Sequence, residues 1–315
     1  MYDKINYLYN ESMMLGSGYM CTKGLAEAFK RIGVVHYVFN TTGPEFLNEE
    51  EFRKYPIFYI RGFLGGRGPF VEAGGDQFKA TLQSESFYTR HGKLDSSSTT
   101  IRQNEKKFDL MLTFAETDLN LYRIPTVWLP SWADITMLDD LYPPEYDKLG
   151  FIGGLPGRED WWNQCDKSLI VHRQTELAQN DAEENARRYT ALICKFKILV
   201  APPGRMFNSM TGRVFEIMAC RRLCLAYHNP DTMFEHDKLF IDGEDLVYWH
   251  TVQEMEEKYK YYRDHPEEAQ RIANNGYEKV RKYHNQDIRA KFIADKVLEA
   301  ANAKLQKNKL CLQNV

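Results

Sequence analysis

Short apolar runs alternate with amphipathic stretches along this chain. Runs at residues 5–9, 34–39, 57–60, 78–82, 110–114 and 126–129 are each the length of a buried strand. Between the first two, residues 22–32 place Leu25, Ala26, Phe29 and Ile32 on one helical face, and Gly33 supplies a helix stop. The alternation resumes after residue 148, with strands predicted at 149–153, 168–172, 197–201, 223–226 and 246–249. Helical spacing predicts helices at 182–194, 213–221, 252–263, 266–284 and 286–306. Pro266 falls at a helix start, where its missing N–H costs little. Strands alternating with helices favour an α/β fold with parallel, doubly wound sheets over an all-β one.

The pattern breaks at residues 134–148, a polar stretch carrying Tyr142-Pro143-Pro144. Consecutive prolines continue neither a helix nor a central strand, so this is the predicted linker. A chain of 315 residues has room for two domains. The expected division is 1–147 and 148–285, with the last helix, 286–306, set apart. Ligand crevices in such sheets lie at the carboxyl ends of the strands.

Bulk properties exclude several classes. A formal net charge of −3 gives no general attraction to nucleic acid or anionic membrane. No apolar run approaches the roughly 18–20 residues that span a bilayer. Met1 is followed by charged and polar residues rather than an apolar leader, so a cytoplasmic, reduced protein is expected. The six cysteines are scattered, and the Cys220/Cys224 spacing lacks the partners of a zinc site. Neither a G-x-x-x-x-G-K-[ST] loop nor G-x-S-x-G is present, which argues against an ATPase and a serine hydrolase.

The most informative segment is 208–230, NSMTGRVFEIMACRRLCLAYHNP. A polar, glycine-containing loop leads into a helix, then a short buried strand. A helix N-terminus offers free N–H groups and a positive dipole end, which suits a phosphate. Glu216, one turn in, suits a different partner: a carboxylate accepts hydrogen bonds from sugar hydroxyls. Arg213 could neutralise a diphosphate at the helix start, or pair with Glu216 on the same face.

With Arg213, Phe215-Glu216, Met218-Ala219-Cys220 and the strand 223–226, the segment resembles the donor-binding motif of GT-B glycosyltransferases, in particular the CgeB-like (spore maturation protein) group. The resemblance continues through Phe240-Ile241-Asp242-Gly243-Glu244-Asp245-Leu246 and covers the last half of the chain better than the first. It implies two Rossmann-like domains facing a cleft, acceptor domain first and donor domain second, with the final helix crossing back to the first.

The resemblance implies sugar transfer from a nucleotide diphosphate sugar, UDP-linked by preference, to an acceptor hydroxyl, with retention of configuration. The sugar is a hexose or pentose. Glu216 would bind the ribose hydroxyls. Asn208, Ser209, Met210, Thr211 and Gly212 would contact sugar and phosphate, and, apart from the resemblance, the rigid turn Pro202-Pro203-Gly204 could aim Arg205 at the cleft as a further cation. Many retaining relatives carry a second Glu eight residues before the ribose-binding one; here Asn208 stands there. Gly16-Ser17-Gly18 resembles the glycine-rich loop after the first strand. Gly154 occupies the place of a family Arg, and Arg158 is the nearby cation carried over for the diphosphate.

Glu85, at a predicted strand end, could orient or deprotonate the acceptor hydroxyl. Asp134 is expected in the wall between the domains. The chain has no Asp-x-Asp triplet to hold a metal on the diphosphate, so no cofactor and no metal are expected beyond the nucleotide sugar itself. The acceptor stays open among glycan, protein, small molecule and modified DNA base. A viral-type transferase acting on DNA bases, a non-catalytic nucleotide-sugar binder or assembly protein, and a nicotinamide enzyme are the competing readings. Cys21, in the third-glycine position of the dinucleotide fingerprint, disfavours the last.

Overall fold

The computed structural model describes residues 1–9, 23–40, 49–60, 77–83, 105–136, 143–175, 181–203, 210–230 and 234–313. Two parallel sheets account for the apolar runs. The first comprises β1 (Ile5–Tyr9), β2 (Val35–Asn40), β3 (Ile57–Ile60), β4 (Lys79–Gln83), β5 (Leu110–Thr113) and β6 (Thr126–Trp128), in the order β2-β1-β3-β4-β5-β6. The second comprises β7 (Leu149–Ile152), β8 (Ile170–Arg173), β9 (Ile198–Ala201), β10 (Leu223–Tyr227) and β11 (Val247–Trp249), in the order β11-β10-β9-β7-β8. Each order reverses direction once, between β1 and β3 and between β7 and β9. A parallel sheet opens a crevice at such a reversal, outside the carboxyl ends of its strands.

The helices are α1 (Leu25–Arg31), α2 (Glu49–Phe52), α3 (Glu159–Gln164), α4 (Ala182–Cys194), α5 (Gly212–Ala219), α6 (Phe234–Leu239), α7 (Val252–Asp264), α8 (Pro266–Tyr283) and α9 (Gln286–Gln313). Long, periodic helices match their predicted spans within a few residues, except that α9 runs on to Gln313. The short α2, α3 and α6 have no counterpart in the predicted set. Six-residue helices such as α3 and α6 carry fewer than two turns of periodicity.

The central strands are buried on both faces, which is why β1, β3, β5, β7, β9 and β10 read as near-continuous apolar runs. Leu25, Ala26 and Phe29 of α1 cover one face of the first sheet beside Ala290, Ile293, Ala294 and Val297 of α9. The final helix therefore returns to the first sheet. Its fully buried Ile293 and Val297 contribute roughly 1.5–3 kcal/mol each. In the second sheet, α4 and α5 cover one face with Ile193, Val214, Phe215 and Ile217. The other face is covered by Trp161 of α3, Met255 and Tyr259 of α7, and Ile272 of α8. Gly276 lets α8 lie against its neighbours: a Cβ there would meet the Asp245 carbonyl oxygen at 2.3 Å and Met218 of α5 at 2.9 Å.

The return into α9 is fastened by polar contacts to the segment after β6. Ala133 N–H donates to the His284 carbonyl (3.0 Å), and Ile135 N–H donates to Gln286 Oε1 (2.9 Å). Arg289 donates to the Ser131 carbonyl and to His284 Nδ1. Arg31 of α1 pairs with Asp287 at 2.6 Å. Asp134 lies in this wall, buried, its Oδ1 accepting from Thr136 N–H (3.0 Å) and Oγ1–H (2.6 Å). Burial pushes its carboxyl up, opposed by those two bonds.

Candidate active site

The carboxyl edge of the second sheet carries the chemistry. β9 ends at Ala201 and α5 begins at Gly212, so the α5 N-terminus lies beside the β7/β9 reversal. Its N-cap, Thr211, has extended backbone (φ −73°, ψ 151°) but makes no side-chain cap bond, and the first turn carries no acid. A typical N-cap hydroxyl accepts an N–H bond from the first turn. Here Thr211 Oγ1 is buried without a partner among the described residues.

Arg213 extends from this turn over β7. Its guanidinium lies 5.5 Å from the Phe151 ring centroid. At Gly153, with φ +136°, a Cβ would approach Arg213 Nη2 to 2.3 Å. The glycine thus serves both a left-handed backbone and a side chain pressed onto its Cα. Its carbonyl is bonded to His172 Nε2 at 2.7 Å. Arg213 Nε is buried and has no partner among the described residues.

Glu216 follows on the same helix, buried beneath that turn. Tyr189, from α4, donates its hydroxyl to Glu216 Oε2 at 2.7 Å. No direct ion pair joins Arg213 and Glu216 there; Arg213 instead acts on the Tyr189 hydroxyl by charge and hydrogen bond. Burial pushes the Glu216 carboxyl up, while the Tyr189 bond and the Arg213 charge pull it down. Burial and the neighbouring Glu216 raise the Tyr189 phenol well above its ordinary value. A guanidinium, a buried carboxylate and a phenol from two helices therefore meet at the reversal point of the sheet.

Among the predicted residues, the structure brings Thr211, Gly212, Arg213 and Glu216 together and buries Met210 beside them. Arg158 precedes α3 and folds onto its own loop, Nη1 donating to the Gly154 carbonyl at 3.1 Å. Gly154 thus supplies a backbone acceptor to Arg158, and its neighbour Gly153 is the glycine that touches Arg213. Gly16, Ser17, Gly18, Glu85, Arg205, Asn208 and Ser209 lie outside the described residues.

Tyr189 and Gly153 are the members that sequence reasoning misses. A signal exists for Tyr189: it shares the apolar face of its helix with Ile193, and a buried phenol needs a hydrogen-bond partner. Among the described residues, no three His, Cys, Asp or Glu side chains converge as a metal site. No helix among them is long and apolar enough to cross a membrane.

Comparison with known proteins agrees with this architecture. A protein-family model described as glycosyl transferase-like matches residues 157–295, the part that holds the cluster. No curated protein matches the chain. Among solved structures, sucrose-phosphate synthase from Thermosynechococcus elongatus is similar at 12% identity and a TM-score of 0.63, over 96% of this chain and 100% of the other. A glycosyltransferase from Rickettsia africae aligns at 10% identity and TM-score 0.59, over 95% and 99%. HepE from Anabaena, solved with UDP and glucose, aligns at 11% identity and TM-score 0.60, over 94% and 99%. The chain has the GT-B architecture: two parallel α/β sheets with flanking helices, its second half carrying a glycosyl transferase-like domain.

Proposed function

We propose that this protein transfers a sugar, a hexose or pentose, from a nucleotide diphosphate sugar to an acceptor hydroxyl, as a member of the CgeB-like group. The observation that carries the reading is the pair of buried polar atoms at the α5 start without partners among the described residues, Thr211 Oγ1 and Arg213 Nε, beside the buried Glu216 carboxylate. Buried polar groups are nearly always satisfied in folded proteins, so a pair of exceptions points to a ligand. Their chemistry is ordered. The helix N-terminus, Thr211 and Arg213 suit a diphosphate. Glu216 Oε1 suits a ribose hydroxyl, with Oε2 held by Tyr189.

Residues 148–285 hold the donor in this reading, and residues 1–147 with the final helix present the acceptor. HepE, similar in fold, has been solved with UDP-glucose, which supports UDP as the nucleotide. As the glycosidic bond breaks, the leaving diphosphate gains charge and the sugar becomes oxocarbenium-like. Arg213 and the α5 N-terminus stabilise that charge. Arg158 keeps the 153–158 loop in place through Gly154. We assign this neutralisation to the protein rather than a metal, with configuration retained. Gly16, Ser17, Gly18, Arg205, Asn208 and Ser209 complete the donor site, and Glu85 serves the acceptor. The reaction is cytoplasmic, and the acceptor is a glycan, a protein, a small molecule or a modified DNA base.

Thermal-shift screening of UDP-, GDP- and other nucleotide sugars against the wild type and Glu216→Ala tests this. A shift specific to one nucleotide and lost in the variant is expected. Equal shifts in both proteins remove Glu216 from the site. No shift with any nucleotide sugar defeats the transferase reading.

A further inference from the structure

The second sheet has a second concavity, at its other edge. Lys148 immediately precedes β7, Ile198 opens β9 and Arg222 immediately precedes β10, and all three line a cavity of about 330 Å³. It therefore opens at the amino ends of the strands, whereas Arg213 and Glu216 sit at the carboxyl ends. The volume lies at the lower end of small-molecule sites, about 300–1,000 Å³.

Its walls are aromatic and small. Tyr146 contributes one ring, fixed by stacking on Phe196 at 4.7 Å. Tyr259 and Tyr262 of α7 contribute two more, with the Tyr259 hydroxyl tied to the Asp147 carbonyl at 2.8 Å. α8 turns Ala269 and Ala273 toward the space, one helical turn apart. Side chains larger than alanine at those positions would fill it.

The charge on the lining is unbalanced. Lys148, Lys197, Arg222 and Arg263 face one acid, Asp147. Lys197 takes that acid at 3.0 Å, and Arg263 pairs with Asp264 at 2.8 Å. Arg222 is only 8% exposed, and its Nη2 donates to the Cys194 carbonyl at 3.0 Å. Lys148 is exposed and makes no ion pair among the described residues. A buried guanidinium and an unpaired ammonium beside stacked rings suit a ligand with one anionic group and a flat apolar body. A polyphosphate suits it poorly, because the rest of the lining offers mostly carbon.

We propose that this cavity is a second ligand site, for a small aromatic molecule with one anionic group, such as an arylacetate or an aryl phosphate ester, separate from the nucleotide-sugar site. The proposal does not depend on the transferase reading.

Titration calorimetry of the full chain with phenyl phosphate and 4-hydroxyphenylacetate tests it, with benzyl alcohol as the uncharged comparison. One saturable site is expected for at least one of the two anions, unchanged by excess UDP, with benzyl alcohol at least tenfold weaker. Ala273→Trp fills the cavity and should abolish binding. Lys148→Glu reverses an exposed charge and should weaken the anion at least threefold without changing Tm, so it decides the matter if Ala273→Trp does not fold. Failure of both anions to bind, displacement by UDP, or equal binding in wild type and Lys148→Glu overturns the proposal.

Discussion

The two sheets share a strand order around one reversal point, yet Glu216 in the second half is partnered differently from Asn6, Glu105 and Thr113 in the first. In the first sheet those side chains stitch backbone. Asn6 Nδ2 donates to the Phe52 carbonyl at 2.6 Å, Glu105 Oε2 accepts from Arg123 N–H at 3.1 Å, and Thr113 Oγ1 accepts from Ala115 N–H at 3.2 Å. In the second, the buried Glu216 Oε2 accepts from another side chain, the Tyr189 hydroxyl, at 2.7 Å. A polar group that satisfies backbone supports the fold. A buried carboxylate held by a phenol beside a guanidinium supports a ligand, since its burial brings stability no evident return. Strand order is common to the two halves; the donor site proposed for the second rests on the partners of its buried polar atoms.

The sharpest way to break this comparison is a pair of variants. Arg213→Ala should lower turnover by about 100- to 1,000-fold, the usual loss when one charge-stabilising donor is removed from a transition state. Its melting temperature should change little, because Arg213 is half-buried and makes no ion pair among the described residues. Asn6→Ala should do the reverse, costing about 0.5–1.5 kcal/mol of stability for one lost hydrogen bond to the Phe52 carbonyl, which keeps its bond from Gln77 Nε2. Its specific activity per folded molecule should stay at the wild-type level. Calorimetric melting and initial rates on both proteins check this. An Arg213→Ala protein that melts early and keeps its turnover would erase the distinction.

Next in size is Glu216→Gln. The amide keeps the volume and the Tyr189 bond but loses the charge. Hydrogen bonds to charged groups contribute about 1.5–3 kcal/mol, so nucleotide affinity should fall roughly 10- to 100-fold. Titration with the free nucleoside diphosphate measures it without any acceptor. Affinity equal to wild type would place the ribose elsewhere.

How much of this was legible follows from which interactions are local. The eleven strands among the described residues each overlap a short apolar run, most plainly where burial on both faces leaves no polar alternation, as in β3, β5 and β9. The α5 turn is legible too, since Thr211 to Glu216 are contiguous. The Tyr189–Glu216 bond spans 27 positions and two helices, so no spacing rule reaches it. α3 is hidden for another reason: Gly153-Gly154-Leu155-Pro156-Gly157 lies just before its N-cap, Arg158, and reads as loop. The junction around His284 and Arg289 is equally non-local, since Arg289 meets Ser131 across 158 positions.

That junction gives a third, smaller test of how the halves are held together. Burial, then the charges of Arg289 and Lys279, push the His284 imidazole down to about 3. The folded state therefore binds fewer protons here than the unfolded chain, whose histidine titrates near 6.5. The stability this neutral ring contributes is complete above 6.5 and is lost as pH falls toward 3. Each full pH unit inside that window should cost about 1 kcal/mol. Melting temperatures of wild type and His284→Gln at pH 7.5, 6 and 5 check it. The wild type should lose more on acidification than the variant, and parallel declines would remove His284 from the linkage.

The smallest expected effect discriminates best between a structural and a ligand-binding Glu216. Its carboxyl is raised by burial, and the Tyr189 bond is the first of the two influences that lower it. Ribose hydroxyls need the ionised form as acceptor, so nucleotide affinity should fall as pH drops through the raised value. Tyr189→Phe removes the lowering bond and should move that acid limb to higher pH, with affinity at alkaline pH close to wild type. The stability linkage has the opposite sense. A carboxyl raised in the folded state holds its proton longer than the unfolded chain, so this contribution is greatest at low pH and is lost as pH rises through the folded value. Tyr189→Phe should deepen that loss, and Glu216→Gln should abolish it. Nucleotide titrations and melts across pH 4 to 8 measure both in the same proteins. If stability moves as described while the affinity limb stays put, Glu216 serves the fold like the buried polar groups of the first sheet.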